Sequence, residues 1–167
     1  SPDRVVPKCP HFNICGGCKL QHLNHDKQIA CKTKSFQEQM KHFGNLDVVN
    51  ILSPINGPAW GYRSRARLSV KYVQKKQKVL VGFHEKNGRY IAEIEGCSIL
   101  HSAVGEKILE LGALVSQLSI YNQIPQIEIA CGDDTTVLLF RNLQDLSDKD
   151  IELLQKFGDE YDFQIGR

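Results

Sequence analysis

The stretch Tyr62-Arg63-Ser64-Arg65-Ala66-Arg67-Leu68-Ser69-Val70-Lys71-Tyr72-Val73 decides how the chain is read. Side chains alternate between the two faces of a β-strand. Tyr62, Ser64, Ala66, Leu68 and Val70 therefore share one face, and Arg63, Arg65, Arg67, Ser69 and Lys71 share the other. One face is mostly apolar and the other is cationic, which predicts a half-buried strand of an antiparallel sheet. Downstream, Lys78 to His84 reads as a second strand, and Asn87-Gly88 as a hairpin turn leading into Arg89 to Ile94. Ser102 opens a helix with Val104, Ile108, Leu111, Val115 and Leu118 along one side. Ile124 to Ala130 and Thr135 to Arg141 read as a hairpin around Gly132, Asp133 and Asp134. Ser147 and Asp150 have the spacing of a capping box for a further helix, with Ile151, Leu154 and Phe157 inward. Gly158 is expected to stop it, before a last strand over Tyr161 to Ile165. Upstream, Asn24 caps a helix running to about His42, with Ile29, Phe36 and Met40 in register and Gly44 as its stop. Residues 53 to 61 carry two prolines and two glycines and read as a connector. The order is helix, three strands, helix, two strands, helix, strand. It predicts an α+β fold, a mainly antiparallel sheet with packed helices. Two parts are expected: a Cys-rich loop over residues 1–24 and a central α+β domain over 25–167.

The 167 residues suffice for one sizeable core but not for two enzyme domains. At 41% apolar and 24% charged, the composition is that of a globular protein and excludes a disordered or fibrous one. No apolar run approaches the length of about 18 residues that a membrane helix needs. No apolar stretch follows SPDRVVPK, so no signal peptide is expected, and a chain starting at Ser1 reads as a processed or excised piece. These features point to a cytoplasmic protein. Its net charge of +2 is too small to imply a partner by itself.

Six cysteines are present, and Cys9, Cys15 and Cys18 crowd into ten residues as C-x5-C-x2-C. That spacing lets one loop wrap a metal, and Gly16-Gly17 lets the backbone turn tightly between two of the thiols. A fourth ligand would come from Cys31, Cys97, Cys131 or a nearby His. Cys97 is favoured, since it follows Gly96 in a loop that can fold back. From spacing alone, zinc and a [4Fe–4S] cluster both fit. A redox Cys15–Cys18 pair is less suited, because no strand precedes it. Cys31 and Cys131 read as small packed residues, and His11, His22 and His25 as structural or exposed.

Residues 60 to 90 hold nine Lys and Arg against the single Glu85, so the rest of the chain is acidic. Arg63, Arg65 and Arg67 project about 7 Å apart, at roughly 3.3 Å rise per residue. Such a row repels itself and suits anions, phosphate above all. A solvated sheet face, or arginines paired with acids elsewhere, would look the same in sequence. Trp60, Tyr62 and Phe83 could stack on unpaired bases, although a lone Trp60 fits a core plug better. The chain has no glycine-rich nucleotide-binding loop, and no spacing identifies a catalytic triad or dyad.

Two further patterns complete the reading. Cys9-Pro10-His11-Phe12-Asn13-Ile14-Cys15-Gly16-Gly17-Cys18, followed by Leu20-Gln21-His22, resembles the iron–sulfur loop of the RNA uridine C5-methyltransferases. Trp60-Gly61-Tyr62-Arg63-Ser64-Arg65-Ala66-Arg67-Leu68-Ser69 resembles that family's Tyr-Arg strand, and Gly82-Phe83-His84 through Cys97-Ser98-Ile99-Leu100 the segment with its fourth cluster cysteine. The branch most similar is the RlmD (RumA) type, which makes 5-methyluridine in 23S ribosomal RNA. The resemblance runs from about Cys9 to Arg167 and covers only the family's central part. It implies a [4Fe–4S] cluster on Cys9, Cys15, Cys18 and Cys97, and RNA contact by Arg63, Arg65, Arg67 and Lys71. It also implies an S-adenosylmethionine-dependent enzyme whose TRAM and catalytic domains lie outside these residues, so that this part alone cannot methylate. The implied partner is 23S rRNA, with no membrane and no protein partner. A family member acting on another rRNA or tRNA uridine, and a stand-alone zinc-stabilised RNA-binding module, are the alternatives.

Overall fold

The computed structural model describes residues 1–47 and 49–167. A five-stranded sheet in the order β2-β1-β3-β4-β5 forms the body. Its strands are β1 (Arg65–Val73), β2 (Lys78–Gly82), β3 (Gln126–Cys131), β4 (Thr136–Arg141) and β5 (Phe163–Gly166). All pairs are antiparallel except β4 with β5. The helices are α1 (His25–His42), α2 (Ser102–Gly105), α3 (Ile108–Gln117) and α4 (Asp148–Tyr161). The expected α+β fold with a mainly antiparallel sheet is therefore present.

Alternation in β1 sets the layers. Ala66, Leu68 and Val70 are buried, while Arg65, Arg67 and Lys71 are exposed. Register places Leu68 opposite Ile127, and Ile127 opposite Phe140, so one apolar row crosses three strands. Helices α3 and α4 cover that face with Ile108, Leu111, Val115, Leu154 and Phe157. Each such side chain contributes about 1.5–3 kcal/mol by leaving water. Asp150 locks the two helices together. Its carboxylate accepts from the backbone N–H and hydroxyl of Ser119 at 2.7 and 2.5 Å, and from those of Ser147 at 3.0 and 2.7 Å. The capping box read from Ser147 and Asp150 is thus formed, and it also ties down the chain after α3.

The structure departs from the sequence reading at five points. The helix expected from Ser102 is split into α2 and α3. The Gly105 carbonyl, which a continuous helix would use internally, accepts the Cys97 N–H at 2.8 Å. The third strand over Arg89 to Ile94 shrinks to a bridge between His84 and Ile91. Residues 14–16 pair with residues 84–86, through a Cys15–Glu85 bridge, Gly16 N–H to the His84 carbonyl and Lys86 N–H to the Ile14 carbonyl. Gly158 lies inside α4 and does not end it. A Cβ there would meet the Phe163 carbonyl at 2.6 Å, so the glycine serves a close approach of β5. The helix instead ends on Asp162 in the left-handed region (φ 57°), and the last strand begins at Phe163. Finally, α1 has its expected Asn24 cap but buries none of its residues, and Phe36 is 51% exposed. Trp60 is half-buried beside a groove and does not plug the core. Among the described residues no helix is long and apolar enough to cross a membrane.

Candidate metal centre and nucleic-acid surface

Cys9, Cys15, Cys18 and Cys97 line one small cavity of about 20 Å³, together with Phe83, Ile94 and Ile99. The loop carrying the first three is shaped locally. The His11 carbonyl accepts the N–H groups of Ile14 and Cys15, and the Gln21 side chain accepts the Cys9 N–H at 3.2 Å. Gly17 passes over the Phe83 ring, where a Cβ would sit 3.2 Å from the nearest ring carbon. The loop is then fastened to the body. His11 Nε2 accepts the Glu95 N–H at 3.1 Å, and the Lys86 ammonium sits 3.5 Å above the Phe12 ring. His11 is structural, as its surroundings in the sequence suggested.

Cys97 arrives from the other side. Its N–H is held by Gly105, a position where a Cβ would fall 2.4 Å from the Cys97 carbonyl. Arg63 holds the same segment. Its N–H donates to the Ile99 carbonyl at 2.9 Å, its carbonyl accepts the His101 N–H at 3.1 Å, and its guanidinium covers the Phe83 ring at 5.0 Å. Burial pushes the Cys15 thiol up, as do the neighbouring Cys18 and Cys9, against the Gly17 N–H that its sulfur accepts at 3.4 Å. Burial likewise raises Cys97, against N–H groups of Ile99 and Leu100, with Cys18 and Cys15 adding to the rise.

Four thiols with amide donors, gathered around one cavity, are a donor set for zinc or an iron–sulfur cluster. Among the described residues, however, no three His, Cys, Asp or Glu side chains converge as ligands of a single metal ion. Cys31 and Cys131 are half-buried and lie apart from the cavity.

The arginine row is partly engaged by other groups. Arg67 Nε lies 3.9 Å from the Glu128 carboxylate, whose other oxygen takes two bonds from Arg141 at 2.8 and 2.9 Å. Lys76 and Lys78 both bond Glu93, and these two ammonium groups hold its carboxyl at about 2. Arg63 is half-buried and occupied in packing. Arg65 and Lys71 are exposed and, among the described residues, form no ion pair.

A second cationic surface was not foreseen. A groove of about 710 Å³ runs between the thiol loop, the first turns of α1 and residues 54–62, with Lys8, Lys19, Lys32, Trp60 and Tyr62 on its walls. The signal was in the sequence: no Asp or Glu occurs between Arg4 and His25. Gly105, which seats Cys97, had no comparable signal, because its role arises from a tertiary contact.

No family model matches the chain. Curated relatives do. It is 48% identical over 162 residues to the 23S rRNA (uracil(1939)-C(5))-methyltransferase RlmD of Paracidovorax citrulli, covering 95% of this chain and 33% of that protein. Its identity to the RlmD of Nitrosococcus oceani is 48% over 166 residues, covering 99% and 37%. For the RlmD of Alkalilimnicola ehrlichii it is 46% over 158 residues, covering 95% and 36%. The chain thus spans about a third of the length of the curated relatives it matches. Over nearly all of its own length, the chain is similar to one segment of the RlmD-type 23S rRNA (uracil-C5)-methyltransferases.

Proposed function

We propose that the chain is the [4Fe–4S]-bearing, RNA-binding part of an S-adenosylmethionine-dependent methyltransferase that makes 5-methyluridine in 23S rRNA. The observation that carries this is the gathering of Cys9, Cys15, Cys18 and Cys97 around one cavity, in a chain 48% identical to RlmD. The four thiolates would hold the cluster, and the N–H groups of Gly17, Ile99 and Leu100 would offset its charge. The bound cluster would supply a structural cross-link and no step of methyl transfer. Arg65 and Lys71 would take phosphates from the sheet face, with Arg63 and Arg67 contributing beside them. The methyl donor and the reacting uridine would be handled by the two-thirds of the enzyme that these residues do not match. Such an enzyme works in the cytoplasm, where its rRNA is.

Purification without oxygen, followed by iron, sulfide and zinc assays, tests the proposal. About four irons and four sulfides per chain are expected. The chain alone should bind an rRNA fragment and transfer no methyl group to it. Zinc without sulfide would replace the cluster reading with that of a zinc-stabilised RNA-binding module.

A further inference from the structure

We propose that the groove between the thiol loop, α1 and residues 54–62 binds an unpaired RNA strand, separately from the arginine face of the sheet. The inference rests on RNA being the partner, as proposed above. Three features carry it. The walls hold Lys8, Lys19 and Lys32 and no Asp or Glu. All three lysines are exposed, and none is ion-paired among the described residues. An acid-free trough lined by cations attracts a polyanion, and its affinity falls with salt.

The second feature is aromatic. Tyr62 is 56% exposed on the groove wall, and Trp60 is half-buried beside it. The Lys8 ammonium lies over the Trp60 ring, 5.1 Å from its centroid. Stacking by a base outweighs such an exposed cation–ring contact. An incoming base can therefore displace Lys8 from the ring, and the freed ammonium lies beside the strand's phosphates. A duplex, with its bases stacked inside, offers nothing to the ring face.

The third is size. At about 710 Å³ the groove is within the range of roughly 300–1,000 Å³ for sites that hold a small organic molecule, which suits one or two splayed nucleotides. It differs from the sheet face, whose Arg67 already leans on Glu128 and whose Arg63 is taken up by the Phe83 ring.

The test is binding of a fluorescent single-stranded RNA and of a matched hairpin to the metal-loaded chain, across a salt series. Trp60→Ala is expected to weaken single-strand binding on the order of tenfold, with Trp60→Phe restoring most of it. The triple variant Lys8→Ala, Lys19→Ala, Lys32→Ala should lower the salt slope by about 2. Arg65→Ala with Lys71→Ala should weaken the hairpin and the single strand alike. Metal content, measured for each variant, shows whether the thiol loop is intact, and Lys32 and Trp60, which lie outside it, are read individually. Single-strand binding unchanged by the groove variants but lost with Arg65 and Lys71 overturns the groove while leaving RNA as the partner. No binding of either RNA by the metal-loaded chain overturns both readings.

Discussion

The two halves of the molecule are stabilised by different means. From residue 61 onward, a contiguous apolar core joins β1 to β5 with α3 and α4. Among the described residues before it, only Phe12, Cys15 and Gln21 are buried, and α1 buries nothing. The sheet half follows the rule that folding free energy comes from apolar burial. The residues before it cannot, because they remove too little surface from water. They are fixed by a few backbone bonds, the Lys86–Phe12 contact and four thiols around a cavity. The proposed cluster would give such a region its order, much as the metal does in small metal domains.

That contrast can be broken by experiment, beginning with its largest expected effect. Cys18→Ser should abolish metal loading and speed protease cleavage within residues 1–24 on the order of a hundredfold. The unfolding transition of the sheet should stay where it was, and Cys131→Ser should do neither. Loss of the sheet transition in Cys18→Ser would show that the two halves form one cooperative unit. Next, Leu68→Ala removes a fully buried side chain from β1. A cost of about 3 kcal/mol, or roughly 6–12 °C in Tm, is expected by calorimetry, with metal content unchanged below the transition.

The smallest effect sharpens the picture of the sheet half. Burial alone would raise the Asp150 carboxyl, but the four bonds from Ser119 and Ser147 outweigh it and hold it at about 2. A carboxyl lowered in the folded state stabilises above its unfolded pKa and loses that contribution as pH falls through the folded one. Asp150→Ala should therefore cost about 2 kcal/mol near neutral pH. In urea titrations its deficit against the unaltered chain should shrink between about pH 4 and pH 2. A deficit independent of pH would assign the loss to packing.

The same contrast explains what could be read from the sequence. Periodicity reports burial, so β1, β3, β4 and α4 were legible in the alternation around Leu68, Ile127 and Leu138 and in the stripe through Leu154 and Phe157. Tertiary bonds leave no periodic trace. At the break between α2 and α3 the Gly105 carbonyl accepts the Cys97 N–H, and residues 14–16 pair with residues 84–86 just past β2. The cysteines themselves were legible because C-x5-C-x2-C is a local spacing, and the structure brings Cys97 to them. The lysine groove was not read, because its walls come from three separate stretches, and Gly158 was misread because its close neighbour Phe163 lies beyond the helix.

The bond between Cys97 and Gly105 also has a consequence in time. On a ribosome adding roughly 5–20 residues per second, Cys97 emerges about 80 residues after Cys18, so three thiols wait about 4–16 s for the fourth. Its seat, Gly105, emerges later still. During that interval the nascent chain offers an incomplete thiol set, open to whatever soft metal the cell supplies. For the proposed cluster, the order of synthesis would set a proofreading problem: the full thiol set would exist only after the first two strands have left the ribosome.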